Sequence, residues 1–159
     1  VRRTSFDGGL GHIICFGYAV DDNPAVTIVG GTEIGILIDI ANSGSYHSPN
    51  IIGHNVSWDI RFLWQRFVVN NIPMPTWLRF AIKAKPWELS DTMLMWNPDR
   101  ERKISLDRLC KTLGVPTSKR KMDGSQVWDA YREGRIDEIA TYCRGDVEAT
   151  RECYRRMTQ

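Results

Sequence analysis

The chain has 159 residues, of which 42% are hydrophobic and 25% charged, and 21 basic against 19 acidic residues give a formal net charge of +2. This composition is typical of a folded globular protein and excludes a collagen-like, coiled-coil or disordered chain, while the near balance of charge gives no bulk signature of nucleic-acid binding. No apolar run approaches the roughly 20 residues that cross a bilayer, and no apolar signal segment opens the chain. These features predict a cytoplasmic protein without a membrane partner.

The N-terminal part of the sequence predicts a β-hairpin. Residues 12–20 and 25–29 are apolar and β-prone, and the turn-forming residues Asp21 to Pro24 separate them. The next apolar run, from Ile34 to Ile40, fits either a short helix capped near Thr32 or a buried strand.

The remaining sequence alternates a strand with helices. Residues 50–55 predict a short buried strand that ends in a polar turn, and residues 57–67 predict an amphipathic helix. Residues 91–96 are interpreted as a short strand or an irregular crossover, Ser105 as the cap of a further helix, and residues 136–154 as a long amphipathic helix. This order predicts an α/β fold with a mixed sheet, in a single domain that spans residues 1–159.

The four cysteines carry no metal-binding or disulfide signature. No two of them have C-x-x-C spacing, and all of them fall in apolar-periodic stretches. Reduced thiols are therefore expected, and any metal ion is expected to be held by oxygen atoms.

Three polar residues are candidates for a site. Tyr142 and Asp146 are four residues apart on the C-terminal helix, so they share one rim of that helix. Asp59 is expected in the first turn of the helix that follows the strand-end segment 53–55, where a carboxylate is also an ordinary first-turn acid. Polar turns at the ends of buried strands often form sites in α/β proteins, and converging carboxylates suit Mg²⁺ or Mn²⁺.

Two segments carry the pattern of known motifs. In IIGHNVSWDIRFLWQRF, Asn55 precedes the pair Trp58 and Asp59, and in IATYCRGDVEAT, Tyr142 precedes Asp146 by four residues. The first resembles the second exonuclease motif of the DEDD (DnaQ-like) superfamily of 3′-5′ exonucleases, and the second resembles the third motif in its tyrosine form. The similarity to the predicted polymerase-B-like exonucleases of this superfamily extends over nearly the whole chain.

The resemblance implies a ribonuclease H-like fold, with a mixed β-sheet flanked by helices. It also implies two-metal hydrolysis of phosphodiester bonds at the 3′ end of single-stranded DNA or RNA. In such a site Asp59 and Asp146 would be ligands of Mg²⁺ or Mn²⁺. Tyr142 would orient the attacking water.

Residues of the second motif would contact the terminal nucleotide. The resemblance assigns this contact to Asn55, together with His54 and Trp58. Trp58 equally fits a place in the core, and His54 equally fits a hydrogen-bonded histidine at the end of a strand. No protein partner is identified by the sequence.

The first motif of the superfamily, Asp-x-Glu, is not found. Asp7 is followed by two glycines, and Asp39 is followed two residues later by Ala41. We expect the strand that carries this motif to lie upstream of Val1. The alternative is a catalytically inactive domain that binds nucleic acid or protein through the same groove.

Overall fold

The computed structural model describes residues 7–43, 50–98, 103–117, 122 and 124–159. These residues form four short strands and seven helices, which confirms the α/β class. The elements are β1 (Cys15–Tyr18), β2 (Val26–Val29), α1 (Glu33–Asn42), β3 (Ile52–Gly53), α2 (Val56–Val69), α3 (Thr76–Ala81), β4 (Ser90–Asp91), α4 (Thr92–Trp96), α5 (Leu106–Leu113), α6 (Val127–Arg132) and α7 (Ile136–Met157), with a 3-10 turn at Pro86–Glu88.

The predicted hairpin is confirmed. Strands β1 and β2 pair antiparallel, with Cys15 opposite Val29 and Tyr18 opposite Val26. The ambiguous run that follows is a helix, because Thr32 Oγ1 accepts a hydrogen bond from the Gly35 backbone N–H at 3.2 Å and caps α1. The strand alternative for residues 34–40 is therefore wrong.

A second pair of strands is parallel. Gly53 of β3 lies opposite Asp91 of β4. The described residues thus contain both the antiparallel and the parallel pairing of a mixed sheet, as two separate two-stranded sheets. Both sheets contact the same long helix, α7.

The strand interpretation of residues 91–96 is wrong. Only Ser90 and Asp91 are extended, and Thr92 begins α4. The reason is a side-chain cap, since Asp91 Oδ1 accepts a hydrogen bond from the Met93 backbone N–H at 3.0 Å. The predicted cap at Ser105 is confirmed, because Ser105 Oγ accepts from the Arg108 N–H.

Helix α7 lies at the centre of the packing. It contacts β1, β2, β3, α4, α5 and α6. Strand β1 approaches it closely at Gly17, where an added methyl group would lie 2.7 Å from Cys143 Sγ. None of the helices in the described part of the chain is both long and apolar enough to cross a membrane.

A separate apolar cluster forms where α1, α2 and α3 meet. The ion pair between Arg66 and Glu33 lies at the edge of this cluster. Arg66 is 7% exposed and donates from Nε and Nη2 to the two oxygens of Glu33, at 2.9 and 2.7 Å. Arg66 also donates to the Gly8 carbonyl oxygen, and the Ile13 backbone N–H donates to Glu33. The segment before β1 is thereby fastened to both helices.

Candidate active site

The turn between β3 and α2 sets the position of Asp59. A methyl group on Gly53 would lie 2.5 Å from Val56 Cβ, so the close turn requires glycine. Asn55 has φ 61, in the left-handed region that asparagine tolerates better than most residues. Helix α2 then begins at Val56 and carries Asp59 in its first turn, as the sequence predicted.

Asp91 fixes this turn and was not identified from the sequence. Its side chain is 2% exposed, and it accepts hydrogen bonds from the backbone N–H groups of Asn55 at 2.9 Å and Val56 at 3.1 Å, besides that of Met93. One carboxylate therefore caps both α2 and α4. The signal available in the sequence was an aspartate directly before a short apolar run, which is a typical capping position.

The surroundings of Asp59 disfavour the ionised form of its carboxyl group. Asp59 is exposed to solvent on the first turn of α2. Desolvation by the surrounding protein and the nearby charge of Asp91 nevertheless raise the pKa of Asp59 to about 7, against a smaller opposing effect of its own backbone N–H. Such a carboxylate favours a bound cation, which would offset both effects.

Asp146 lies in the same region as Asp59. The pKa of the Cys143 thiol on α7 is raised, first by its hydrogen bond with Cys15 and by burial, and further by the charges of Asp146 and Asp59. The two predicted metal ligands therefore act on one thiol, although they come from α2 and α7. Helix α7 packs against β3, which immediately precedes α2, so the elements that carry the two residues are neighbours.

Tyr142 lies one helical turn before Asp146, on the side of α7 that faces α6. Its ring is half-buried and packs against a cluster of Met122, Ala130 and Ile139. Its hydroxyl group is 3.9 Å from the position that a side chain on Gly124 would occupy. The ring is thus held by packing next to the candidate site.

Both ring nitrogens of His54 lie within hydrogen-bonding distance of a polar partner. Nδ1 is 2.9 Å from Thr92 Oγ1, and Nε2 is 2.9 Å from the Ile104 carbonyl oxygen. A carbonyl only accepts, so Nε2 carries a proton. Burial lowers the pKa of His54, against the opposing effects of the Ile104 carbonyl and the charges of Asp91 and Asp146. These contacts favour the strand-end alternative for this residue.

Trp58 lies at the surface beside Asp59. It is 37% exposed, and its ring stacks on Phe62 at a centroid distance of 5.2 Å and an interplanar angle of 25°. The alternative of a core residue is not favoured by this exposure.

The donor set fits a hard divalent cation. The described residues contain no group of three or more His, Cys, Asp or Glu side chains arranged around one metal position. Asp59 and Asp146 nevertheless supply two carboxylates, and Mg²⁺ is often held by one or two carboxylates together with waters and substrate phosphates. The four cysteines are free thiols, as predicted.

Comparison with known proteins gives one family. Residues 31–159 match the sequence model of a family described as a predicted 3′-5′ exonuclease related to the exonuclease domain of PolB. The matched region contains both motif segments and every described element from α1 to α7. Neither a curated protein nor a solved structure matches the chain.

Proposed function

Because the chain belongs to the family of predicted 3′-5′ exonucleases related to the exonuclease domain of PolB, we propose that it is a metal-dependent 3′-5′ exonuclease acting on single-stranded nucleic acid. The family implies a nucleic acid as substrate, and the α/β fold is consistent with a ribonuclease H-like domain. The observation that carries the proposal is the match of residues 31–159 to this family, and the charges of Asp59 and Asp146, which both influence the Cys143 thiol, support it. We further propose that residues 1–159 belong to one such domain.

Asp59 and Asp146 are proposed to hold Mg²⁺ or Mn²⁺. The raised pKa of Asp59 supports this role, since a carboxylate that resists ionisation alone is stabilised by a bound cation. When bound, two such cations would neutralise the charge that develops on the scissile phosphate and would favour the hydroxide form of a water molecule. With two carboxylates, metal binding is expected to tighten when a substrate phosphate completes the ligand set.

Tyr142 is proposed to position the attacking water. A tyrosine hydroxyl group can donate a hydrogen bond to the water or accept one from it. Its ring is held against α6, and this restricts the hydroxyl to one region beside α7. Such a positioning role acts through geometry and requires no shifted pKa.

Asn55 and Trp58 are proposed to contact the terminal nucleotide. The backbone N–H of Asn55 is bonded to Asp91, and its side chain does not cap α2. The indole of Trp58 offers an exposed aromatic surface beside Asp59. His54 is proposed to act through this turn, since its ring joins β3 to Thr92 and to Ile104.

A second function is an exonuclease-like domain that binds nucleic acid without cleaving it. The observation that favours it is that the described parts of the chain contain no group of three or more His, Cys, Asp or Glu side chains that could hold a metal ion. Such a domain would bind single strands with strong salt dependence and would release no nucleotides.

The deciding experiment is a time course on 5′-labelled single-stranded DNA and RNA with Mg²⁺, Mn²⁺ or EDTA. We expect stepwise shortening from the 3′ end that EDTA abolishes, and a loss of about 100-fold or more in Asp146→Asn, because a metal ligand contributes several kcal/mol. Asp39→Asn, which changes an exposed carboxylate on α1, is the matched control and should cleave normally. Unchanged cleavage in Asp146→Asn would refute the proposed site, and binding without cleavage under every cation would establish the second function.

A further inference from the structure

Helices α2 and α6 both contact the segment before β1, and they present similar sets of side chains. Each has a tryptophan at position i, with a second aromatic residue and an arginine at i+3 and i+4 in either order, and these positions lie on one face of a helix. On α2 these are Trp58, Arg61 and Phe62, and on α6 they are Trp128, Tyr131 and Arg132.

On α2 the rings of Trp58 and Phe62 are stacked, 5.2 Å apart. The Phe62 ring also lies against the backbone of the segment before β1. A methyl group on Gly11 would be 2.9 Å from Phe62 Cζ, so the ring and Gly11 are in direct contact. The aromatic pair of α2 therefore reaches residue 11.

On α6 the rings of Trp128 and Tyr131 are 6.0 Å apart, at an angle of 34°. The Tyr131 ring in turn meets the ring of His12 edge-on, at 5.6 Å and 61°. Because Gly11 and His12 are consecutive, the two aromatic pairs meet at this point of the chain. We call the series Trp58, Phe62, His12, Tyr131 and Trp128 the aromatic strip.

Both ends of the aromatic strip are open to solvent and carry positive charge. Trp58 is 37% exposed and Trp128 is 45% exposed. Arg61 and Arg132 are exposed, and neither forms an ion pair with another residue that the structure describes. Exposed aromatic faces next to arginines are the two elements with which proteins hold bases and phosphates of single strands.

The aromatic strip also passes the candidate active site. Trp58 directly precedes Asp59, and Tyr131 packs against the same buried cluster as Tyr142. A strand whose 3′ end lies near Asp59 would therefore have two aromatic pairs, joined by residues 11 and 12, for its preceding nucleotides.

We propose that the aromatic strip binds unpaired nucleotides of a single-stranded nucleic acid, with bases stacked on Trp58 and Trp128 and phosphates paired with Arg61 and Arg132. The proposal rests on the proposed exonuclease function and extends it, because it adds a binding surface on α6. It also gives a reason for discrimination against duplexes. The base faces of a duplex are already covered by neighbouring base pairs, so they are not accessible to the strip.

The test is binding of a 5′-fluorescein-labelled oligothymidylate and oligouridylate of about 12 nucleotides to the full chain, with EDTA present so that no cleavage occurs. Trp128→Leu should raise the Kd by about 5- to 100-fold, since stacking contributes about 1–3 kcal/mol per base, while Trp128→Phe keeps a ring and should stay within a few-fold of wild type. The matched control is Trp87→Leu, because Trp87 is 74% exposed and its ring contact is with Lys85, outside the strip. It should leave the Kd unchanged.

Two further arms separate stacking from charge. An abasic oligonucleotide of the same length keeps the phosphates, so Trp128→Leu should not weaken its binding further. Arg132→Gln should weaken both ligands and reduce the slope of log Kd against log salt by about 1. A duplex hairpin should bind more weakly than either single strand.

Equal affinity of wild type and Trp128→Leu for the oligothymidylate would overturn the proposal. The proposal would also be overturned if Trp128→Leu lost as much affinity for the abasic ligand as for the oligothymidylate. A wild-type dimer that Trp128→Leu converts to a monomer would overturn it too, because a second copy would then cover the strip. Because binding is measured without a metal, loss of the proposed exonuclease activity is detected separately, in the cleavage time course.

Discussion

Asp91 and Val56 are joined by a hydrogen bond of 3.1 Å, from the backbone N–H of Val56 to the Asp91 carboxylate, although 35 residues separate them in sequence. The bond sets the start of α2 relative to β4. Since Asp59 lies one turn further along α2, the position of a proposed metal ligand depends on a buried carboxylate that has no ligand role in the proposal.

Replacing Asp91 is therefore expected to be costly. Asp91→Ala leaves the N–H groups of Asn55, Val56 and Met93 without their acceptor, and we expect the free energy of unfolding to fall by about 3 kcal/mol. Urea denaturation measures it. Ser105→Ala removes one ordinary helix cap and should cost about 1 kcal/mol. A loss in Asp91→Ala no larger than that of the control would contradict the double capping role.

Asp59→Asn is expected to stabilise the metal-free protein at alkaline pH. Because the pKa of Asp59 is raised from 3.8 to about 7 in the folded state, ionisation opposes folding, and stability is lost as pH rises through about 7. Asparagine does not ionise, so the gain in melting temperature in EDTA should be larger at pH 8 than at pH 5. Asp39→Asn serves as the control. A gain of equal size at both pH values would show that ionisation is not its cause.

The pair of Glu33 and Arg66 provides a different pH dependence. Burial opposes ionisation of Glu33, but hydrogen bonds from Arg66, Ile13 and Asn70 outweigh it and hold the pKa of Glu33 below its ordinary 4.5. This stabilisation is present above pH 4.5 and is lost as pH falls through the lowered pKa. Arg66→Met should cost about 3–5 kcal/mol at neutral pH and should remove the acid sensitivity.

The double variant Glu33→Gln with Arg66→Met tests the cause of that loss. Glutamine keeps an acceptor for the Ile13 N–H and removes the buried charge, so the double variant should be more stable than Arg66→Met alone. Chemical denaturation at pH 7 compares the three proteins. If the second change lowers stability further, the unpaired charge is not the origin of the loss.

Gly53→Ala should disturb the site through the backbone. Its methyl group would lie 2.5 Å from Val56 Cβ, so the turn before α2 must shift, and we expect a loss of about 1–3 kcal/mol together with weaker cleavage. Gly35→Ala is the matched change inside α1, where the nearest atom is 3.6 Å away, and it should stabilise by about 0.5–1 kcal/mol. Equal effects of the two changes on melting temperature would contradict the close turn.

The four thiols should differ in reactivity. The pKa of Cys15 is lowered, first by its hydrogen bond with Cys143 and also by the charge of Arg144, whereas burial raises the pKa of Cys153 to about 12. Iodoacetamide at neutral pH should therefore alkylate Cys15 first and reach Cys110 and Cys153 only after unfolding, as mass spectrometry of peptides would show. Cys143→Ala should slow the reaction of Cys15. Alkylation of native Cys153 as fast as that of Cys15 would disprove the assignment.

Local sequence patterns predicted the elements whose turns or helix caps lie within a few residues of them. The turn from Asp21 to Pro24 and the cap at Ser105 act within a few residues, and both are present in the structure. The run after Thr32 was ambiguous, because its apolar content suits a buried strand as well as a helix. The cap at Thr32 decides between them.

Long-range contacts account for what the sequence did not predict. The sequence predicts a strand or crossover at Asp91 and not its capping role, because its bonds to residues 55 and 56 exist only after β3 and β4 pair. Motif spacing predicts Asp59 and Asp146 as site residues, but their common influence on Cys143 arises only when α7 packs beside β3. The aromatic surface of α6 has no sequence motif, since only the contact of Tyr131 with His12 connects Trp128 to the rest of the aromatic strip.

The position of α7 has a consequence for synthesis on the ribosome. The hairpin ends at Val29, but the helix that covers it begins only at Ile136. At about 5–20 residues per second, the hairpin waits on the order of ten seconds for its partner. During translation its apolar strands are therefore open to chaperones or to other nascent chains, and a ribosome stalled within α6 would hold a chain that cannot yet close its core.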